Sequence, residues 1–480
     1  MLEQHFAPGG LTQTFARERF HWDVGVHYLG QMGENGQARR VIDWLSGGTI
    51  EFAPLGPVYD VVHLPEGLRL EFARPEASLV TELSERFPES RAELSAFFDA
   101  LHCAERALRS VFALRVVPRW IAPLIRVLRG RAIRKWCGRT TLDVVNGLIS
   151  DPRLRAVLLA QRGDYCPDPR ESSFAMHALV MRHYFNGAYY PVGGSKSFAD
   201  ALVPVIERGG GRVRVRARVT EILVESGAVA GVRLKDGTEL RCAQVVSDAG
   251  AQVTVNRLLP EAERAAPWAR EISAMRPSAC HIGVYLGLKG DIRANGASAS
   301  NHWFYETTEL GDSLWRDPDA QPRAPASFIS FPSLKDPRRA QTLDAHTAEM
   351  VVFTDWALFE PWETTHVGRR PIEYREFKQK LEDRLLEQFQ AYFPALAPLV
   401  EYAELSTPLS TVAFTGAEHG GVYGLETSPR RFLSTSLAPR TPLPGLYLTG
   451  QDVATPGITG AMMAGIMTAG AIEPEVLRRL

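Results

Sequence analysis

The chain has 480 residues, of which 45% are hydrophobic and 23% are charged, a balance typical of a globular protein with more than one domain. The formal net charge of -1 excludes a global electrostatic attraction to nucleic acid. The five cysteines are scattered, without a CxxC pair or a Cys/His cluster. This pattern argues against structural zinc and a disulfide framework, and it favours a reducing, cytoplasmic compartment.

The first ten residues, MLEQHFAPGG, predict the end of a buried strand followed by a turn. An acidic residue at such a strand end, here Glu3, is typical of the second strand of a dinucleotide-binding unit, where the carboxylate accepts hydrogen bonds from a ribose. The phosphate-binding motif G-x-G-x-x-G should precede it by about 20 residues, but the chain contains no such motif. Either Glu3 is an ordinary charge near a terminus, or the first strand and helix of the unit precede Met1.

Residues 41–181 show mainly helical periodicity. Within them, Arg106–Arg139 contains ten Lys and Arg residues and no Asp or Glu, with apolar residues such as Trp120 between them. One interpretation is a solvated basic helix pair over a core. The other is an interfacial segment that lies on anionic lipid. Pro118 and Pro123 exclude one long straight helix.

Short strands dominate after residue 190, including one that contains Val219, and Asp236-Gly237 predicts a hairpin turn between two of them. Near the other end of the chain, Leu446–Thr449 predicts a buried strand that stops at Gly450. The uncharged stretch Val453–Ile472 is rich in Ala, Gly and Met. We interpret it as a helix packed against a sheet or a cofactor and not as a membrane span.

Asp452 follows this last strand at its carboxyl end, where ligands bind in open α/β sheets. We expect the next helix to begin near residue 458, with unpaired amides at Gly460, Ala461 and Met462. Their partial positive charge suits an electron-rich ring edge. Gly457 and Gly460 lack a Cβ and allow close approach of the backbone. The alternative is an ordinary tight corner between a strand and a helix.

Four blocks of sequence carry a resemblance to a known family. They are "LEQHFAPGG" with "FHWDVGVHYLG", "SFAMHALVMRHYFNGAYYPVGGSKSFADALVPVI", "TPLSTVAFTGAEHGGVYG" and "GLYLTGQDVATPGITGA", in this order along nearly the whole chain. With these blocks the chain resembles the flavin-dependent amine-oxidase-like superfamily, in the branch of phytoene desaturases, carotenoid isomerases and retinol saturases. Its closest likeness is to the retinol saturases.

The resemblance implies an α/β fold, with a discontinuous Rossmann-like FAD-binding domain and an α+β substrate domain. The FAD-binding domain would comprise residues 1–40, 190–255 and 434–480. A helical substrate- or membrane-facing region would span residues 41–189, and the substrate domain residues 256–433. The first βα unit with its phosphate loop is missing, so we expect Met1 to be internal in the natural protein. We also expect the chain as given not to retain FAD tightly.

The resemblance assigns ten residues to the binding of FAD. Glu3 would hold the adenosine ribose, and Gly9 and Gly10 would pass close to the cofactor. The backbone of Val219 would face adenine, and Asp452 would bind the ribityl or pyrophosphate portion. The remaining members, around the flavin ring and its loop, are Gly450, Gly457, Gly460, Ala461 and Met462. Asp248 stands where the family usually has Asn.

The implied function is an FAD-dependent oxidoreductase that acts on a hydrophobic polyene or isoprenoid, with NAD(P) as a second candidate cofactor and no metal. Saturation, desaturation and isomerisation of C=C bonds all remain open. Flavin carries the redox chemistry, and a polyene requires no strong acid–base pair, so no catalytic residue is assigned. Polar candidates lie within two of the blocks. They are His27 and Tyr28, just after the ribose loop, and His183, Tyr184, Tyr189 and Tyr190, before "PVGG". The alternative function is a flavin-free carotenoid- or lipid-binding protein on a degenerate oxidoreductase fold.

Overall fold

The computed structural model describes residues 1–117, 120–342 and 344–478. Its strands, in chain order, are β1 (Thr14–Arg17), β2 (Phe20–Asp23), β3 (Leu29–Gly30), β4 (Phe52–Pro54), β5 (Val58–His63), β6 (Arg69–Ala73), β7 (Ala188–Pro191), β8 (Val219–Glu225), β9 (Ala228–Leu234), β10 (Glu239–Arg241), β11 (Val245–Ser247), β12 (Cys280–Leu288), β13 (Asn301–Tyr305), β14 (Ala326–Ser330), β15 (His346–Thr354), β16 (Val400–Ser406) and β17 (Leu446–Leu448).

The α-helices, in the same order, are α1 (Gln37–Ser46), α2 (Glu76–Arg86), α3 (Arg91–Val116), α4 (Ala122–Trp136), α5 (Thr141–Leu148), α6 (Pro152–Leu158), α7 (Phe174–Tyr184), α8 (Ser197–Arg208), α9 (Ala251–Val253), α10 (Glu261–Arg264), α11 (Pro267–Ser273), α12 (Pro332–Lys335), α13 (Ile372–Tyr392), α14 (Pro408–Thr415), α15 (Pro429–Leu433) and α16 (Gly457–Ile472).

The largest sheet has seven strands in the order β16-β12-β15-β14-β13-β5-β6. Its pairs are antiparallel except for β13 and β5, which run parallel. Side chains alternate between the two faces of a strand, and on β12 the apolar set that includes Ile282 and Val284 packs into a core shared with α13. His281 and Tyr285 therefore lie on the opposite face, where both border a large cavity.

Two short parallel pairings lie next to residues that the sequence assigns to nucleotide binding, Glu3 after the first and Gly450 and Asp452 after the second. Leu2 pairs with Arg214, and the Glu3 amide donates to the Arg214 carbonyl at 2.9 Å. Strands β11 and β17 pair in register, beginning with Val245 opposite Leu446. The first pairing is an isolated bridge and the second is a two-stranded sheet, yet both border the same cavity. The division of the chain into five segments stays a prediction.

The basic segment Arg106–Arg139 divides into two parts with different surroundings. The part in α3 packs its apolar side chains into the core and leaves Arg106 and Arg109 exposed. The Arg115 guanidinium is buried and donates to the carbonyls of Val453 and Arg431 at 2.6 and 3.0 Å. The part in α4 is exposed, with Val127 at 82% of its maximal accessibility. The helices are separate, as the prolines predict, although Pro118 lies outside the described residues. Only α4 therefore retains the interfacial interpretation.

Within the described ranges, no helix combines the length and apolar character needed to cross a bilayer. Most of the uncharged stretch Val453–Ile472 forms α16, which begins at Gly457 and has 16 residues. Its small residues allow close packing, and the Thr468 hydroxyl donates to the Leu448 carbonyl of β17 at 2.9 Å. The helix therefore packs directly on the parallel strands.

Candidate functional site

A cavity of about 2310 Å³ passes between the parallel pairings and the large sheet. Single small-molecule pockets usually enclose about 300–1,000 Å³, so this space exceeds the needs of one ligand. On the nucleotide side the wall includes Leu2, Glu3, Gly9, Gly10, Val219, Asp248, Asp452, Gly457, Ala461 and Met462. On the sheet side it includes Phe15, His281, Tyr285, Leu405 and Tyr423. Eight of the ten predicted FAD-binding residues therefore share one cavity; Gly450 and Gly460 are not in its wall.

Glu3 lies at the carboxyl end of the short strand that the sequence predicts. Its carbonyl accepts from the Ala217 amide at 2.8 Å, which fixes the backbone beside Arg214. Its carboxylate oxygen Oε1 accepts from the His5 amide at 2.8 Å. The other carboxylate oxygen has no hydrogen-bond partner among the described residues and can accept from a ligand hydroxyl. This geometry fits a ribose.

The loop after Glu3 and the strand β8 complete this end of the cavity. Gly9 and Gly10 have φ angles of +116° and +56°, a region that L side chains rarely adopt. The position at which a Cβ would stand on Gly10 is open, with nothing within 4 Å. Val219 is the first residue of β8, and it also borders the cavity. The backbone is therefore open at Gly10, whereas a Cβ on Gly9 would lie 2.9 Å from Thr12 Oγ1. The assignment of Gly9, Gly10 and Val219 to FAD stays a prediction.

Asp452 is buried, at 3% exposure, and both of its carboxylate oxygens are occupied by backbone amides. Oδ2 accepts from the Ala251 amide and Oδ1 from the Leu425 amide, each at 2.7 Å. The carboxylate thereby joins the start of α9 to the segment after Tyr423. Its contacts support a role in holding the cavity wall, and its assignment as a direct ligand of the cofactor stays a prediction.

Helix α16 begins at Gly457, one residue before the predicted start. No side chain caps its first turn, and the hydroxyl of Thr459 is buried without a partner among the described residues. Gly457 has φ +83° and nothing within 4 Å of an added Cβ. Because the helix begins at Gly457, its free amides are those of Gly457, Ile458 and Thr459. The prediction of unpaired amides at Gly460, Ala461 and Met462 is wrong, since these three amides are positioned to bond carbonyls of the preceding turn. The free amides and the open Gly457 together fit the polar edge of a flavin ring, since such helix ends favour electron-rich groups.

Gly450 and Gly460 serve the packing of the loop. A Cβ on Gly450 would lie 1.7 Å from Asp248 Oδ1, and one on Gly460 would lie 2.0 Å from the Thr455 carbonyl oxygen. Their missing side chains therefore admit neighbouring atoms of the chain. Gly457 differs from both because its open side faces the cavity.

Asp248, which departs from the family pattern, also borders the cavity. Enclosure by the surrounding chain raises the pKa of its carboxyl to about 6, and the charges of Asp452 and Glu3 add to the effect. The three carboxyl groups thus lie close enough to influence one another at this end of the cavity.

The polar candidates named from the sequence have different roles. His183 accepts from the Gly30 amide through Nε2 at 2.9 Å, a structural contact, and Tyr190 donates to the buried Asp23 carboxylate. Tyr28 and Tyr184 stack with ring centroids 4.2 Å apart. The Tyr28 hydroxyl lies 2.6 Å from Asp164 Oδ2. Tyr28 is therefore part of a buried polar cluster.

Sequence reasoning missed the other members of this cluster, which are Asp60, Asp164, Gln161, Asn301 and Lys335. Burial raises the pKa of the Asp60 carboxyl to about 6 and lowers the pKa of the Lys335 ammonium to about 7. One signal was present in the sequence: Asp60 interrupts the apolar run of strand β5. A carboxylate in such a run is rare unless it is paired.

The fold and the cavity define an α/β protein of the flavoprotein oxidoreductase type. Residues 2–473 match the family described as flavin containing amine oxidoreductase, and the chain belongs to this family. The predicted family is thereby confirmed.

Among its relatives, all-trans-retinol 13,14-reductase of Danio rerio is 31% identical over 98% of this chain and 81% of its own length. Prolycopene isomerase of Arabidopsis thaliana is 24% identical over 99% of this chain and 78% of its own length. The solved structure of cyclohexylamine oxidase from Brevibacterium oxydans covers 99% of this chain and 93% of its own, with a TM-score of 0.62 at 17% identity. This likeness confirms the predicted α/β fold.

Proposed function

We propose that this chain is an FAD-dependent oxidoreductase that reduces a C=C bond of a hydrophobic, retinoid- or carotenoid-like polyene. The observation that carries the proposal is the single cavity that joins the predicted flavin end to an apolar sheet face. Its volume of about 2310 Å³ gives room for a cofactor and an elongated substrate together. A hydride-transferring flavin and a polyene must be in contact, and one shared cavity meets this requirement.

The residues present fit the cofactor at both of its ends. Glu3 would hold the ribose through its open carboxylate oxygen, and the amides at the start of α16 would face the ring. FAD, when bound, supplies two-electron redox chemistry. The chain positions it, and the sheet face around Tyr285 excludes water from the substrate. Reduction is the reaction that we favour, because the more similar of the two compared relatives is named a reductase.

Because we expect the chain to hold FAD weakly, the proposal is tested in the presence of saturating free FAD. The assay contains all-trans-retinol or a carotene, with NADPH or dithionite as electron donor, and excludes oxygen. We expect loss of the polyene absorbance and a product heavier by two hydrogens. NADPH alone would support the reaction if a nicotinamide dinucleotide is the donor. No change in any polyene with fully reduced flavin would contradict the proposal.

A matched pair of variants links the activity to the cavity. Ala461→Leu adds bulk in the second turn of α16, in the cavity wall. We expect the affinity for flavin and the turnover to fall by tenfold or more. Gly147→Leu adds similar bulk at an exposed position of α5 with nothing within 4 Å, outside that wall. This control should keep both properties.

We further propose that the outer face of α4 attaches the protein to anionic membranes, from which a polyene would be taken. Leu124, Val127 and Leu128 are 60%, 82% and 69% exposed. The exposed basic residues of the same helix are Arg126, Arg129, Arg131, Arg134 and Lys135, and they form no ion pair among the described residues. Each basic residue near an anionic surface contributes about 1 kcal/mol, and salt weakens the effect.

Sedimentation with vesicles tests this attachment. We expect binding to anionic vesicles at low salt, little binding to neutral vesicles, and a loss of binding in Val127→Glu. Leu433→Glu is the control, because Leu433 is an exposed apolar residue on α15, at 45% exposure. Protein that remains in the supernatant with anionic vesicles at low salt would contradict the proposal.

A further inference from the structure

Four basic side chains lie together in the wall of the cavity, and we call them the basic cluster. Arg369 and Arg370 precede helix α13, and Arg375 and Lys378 lie in its first two turns. None of the four forms an ion pair among the described residues. Arg369 and Arg375 are exposed, so water alone could satisfy them, whereas Arg370 and Lys378 are half-buried.

Arg370 is the fixed member of the basic cluster. Its Nη1 donates to the Tyr374 hydroxyl at 2.9 Å, and its Nη2 donates to the Leu409 carbonyl at 3.2 Å. Its Nε is buried without a hydrogen-bond partner among the described residues. A guanidinium that leaves water and meets only neutral acceptors is held at a cost, because its charge is not compensated. An anion in the cavity would compensate it.

The acids of this region do not fill that role. Outside its nucleotide side the wall contains two carboxylates, Glu404 and Glu418, and these pair with Arg17 and Arg257 at 2.8 Å each. The acids of α13 itself are not in the wall: Glu373, Glu376, Glu382, Asp383 and Glu387. The wall therefore carries an uncompensated positive charge at the basic cluster.

Hydrogen bonds and strand pairing join the basic cluster to the sheet side of the cavity. The hydroxyls of Tyr374 and Thr407 lie 2.8 Å apart, and Thr407 directly follows strand β16. Ser406, the last residue of β16, pairs with Gly283 of β12. The Tyr285 ring lies over Gly283, since a Cβ there would be 3.6 Å from the Tyr285 hydroxyl. The basic cluster is thus next to the aromatic wall that contains Tyr285.

The surroundings of the basic cluster select the kind of anion. Val367 and Phe414 belong to the wall beside it, and Phe15 and Leu405 belong to the sheet side. A free phosphate would gain nothing from these apolar side chains, whereas an apolar chain with one anionic end fits both kinds of neighbour. A guanidinium binds a carboxylate through two parallel hydrogen bonds.

We propose that the basic cluster binds the carboxylate of a polyene acid, so that this chain takes a polyene with an anionic end in preference to the corresponding alcohol. The inference rests on the proposed function for the polyene chain, and it adds the end group. Arg370 holds the carboxylate, while Arg375 and Lys378 add charge that draws it into the cavity.

Equilibrium dialysis with saturating free FAD tests the site with two ligands of the same chain, all-trans-retinoic acid and all-trans-retinol. A hydrogen bond to a charged group contributes about 1.5–3 kcal/mol, which is about tenfold or more in affinity. We expect the acid to bind about tenfold more tightly at low salt, with a smaller difference at high salt. Arg370→Gln should remove this preference and leave the affinity for the alcohol within threefold.

Two further variants control for folding and for charge in general. Arg375→Gln combined with Lys378→Gln removes two side chains without hydrogen bonds to the described residues, so the fold should persist, and it should weaken the acid at low salt. Arg91→Gln is the matched control, because Arg91 is exposed and bonds the Ser84 carbonyl at 3.4 Å outside the wall. It should bind both ligands like wild type.

Equal affinity of the wild type for acid and alcohol, or an equal loss of both in Arg370→Gln, would overturn the inference. If NADPH and not the acid loses affinity in this variant, the basic cluster binds a dinucleotide phosphate and the inference is wrong. Neither result affects the proposed function, which the reduction of retinol tests separately. If the acid binds through Arg370 but no polyene is reduced, the site stands and the proposed function fails.

Discussion

Asp452→Ala should destabilise the protein itself, before any cofactor is added. The Asp452 carboxylate accepts from the amides of Ala251 and Leu425, each at 2.7 Å, in a site of 3% exposure. A hydrogen bond to a charged group contributes about 1.5–3 kcal/mol. Loss of both bonds should therefore lower the free energy of unfolding by roughly 3–6 kcal/mol.

A second variant separates the charge from the shape. Asp452→Asn keeps the size of the side chain and one acceptor oxygen, but it turns an NH₂ group toward the other backbone amide. The buried Arg431 guanidinium also loses the carboxylate charge that raises its pKa against the effect of burial. We expect a destabilisation of about 2–4 kcal/mol, between wild type and Asp452→Ala.

Urea unfolding of the cofactor-free protein measures the change, and hydrogen exchange locates it. Peptides that contain the amides of Ala251 and Leu425 should exchange faster in both variants, because their acceptor is lost or weakened. Asp43→Ala is the control: it removes a partly exposed pair with Arg39 and should cost about 0.5 kcal/mol or less. If Asp452→Ala changes stability by less than about 1 kcal/mol, with normal exchange, Asp452 does not hold this wall.

Three further predictions concern backbone and pH. Gly450→Ala should unfold at clearly lower urea concentration, because its Cβ would stand 1.7 Å from Asp248 Oδ1. Gly457→Ala should lower the free energy of unfolding only by the penalty for a left-handed backbone, about 1–2 kcal/mol. It should also weaken flavin binding in a fluorescence titration, because the added Cβ would enter the cavity. Burial lowers the pKa of His177 to about 3. Below pH 6.5 the unfolded chain binds the proton that the folded chain excludes, so the His177 contribution to stability is lost as pH falls toward 3, and His177→Asn should flatten this slope in pH-dependent urea unfolding.

The sequence predicted most reliably those parts of the site that depend on local chemistry. Helix α16 starts one residue from its expected position, because a strand end, a glycine and a proline are local signals. Glu3 and Gly10, which border the cavity, could be predicted for the same reason, because residues close in sequence determine strand ends and turns. The role of Asp452 was harder to foresee. Its partners are about 200 and 27 residues away in the chain, at Ala251 and Leu425.

The basic segment Arg106–Arg139 shows a different limit. Composition alone treats all of its charges alike, whereas the fold buries Arg115 between two carbonyls and exposes α4. A buried guanidinium that donates to carbonyls cannot be told from a surface one by counting arginines. The tertiary contacts of α3 bury Arg115 and leave Arg106 and Arg109 exposed.

The cluster around Tyr28 buries three ionisable side chains, an arrangement that a protein rarely keeps for stability alone. Burying Asp60, Asp164 and Lys335 beneath a sheet face is unfavourable, and well-packed apolar residues at such positions often give a more stable protein. Every N–H of Lys335 is nevertheless satisfied, by the oxygens of His27, Asn301 and Ser330. The cluster is therefore built to be stable while one member, Asp164, keeps an open oxygen. Departures from a stable apolar core concentrate at functional sites, and this cluster adjoins Gly163, whose carbonyl accepts a hydrogen bond from Tyr423 of the cavity wall at 2.9 Å.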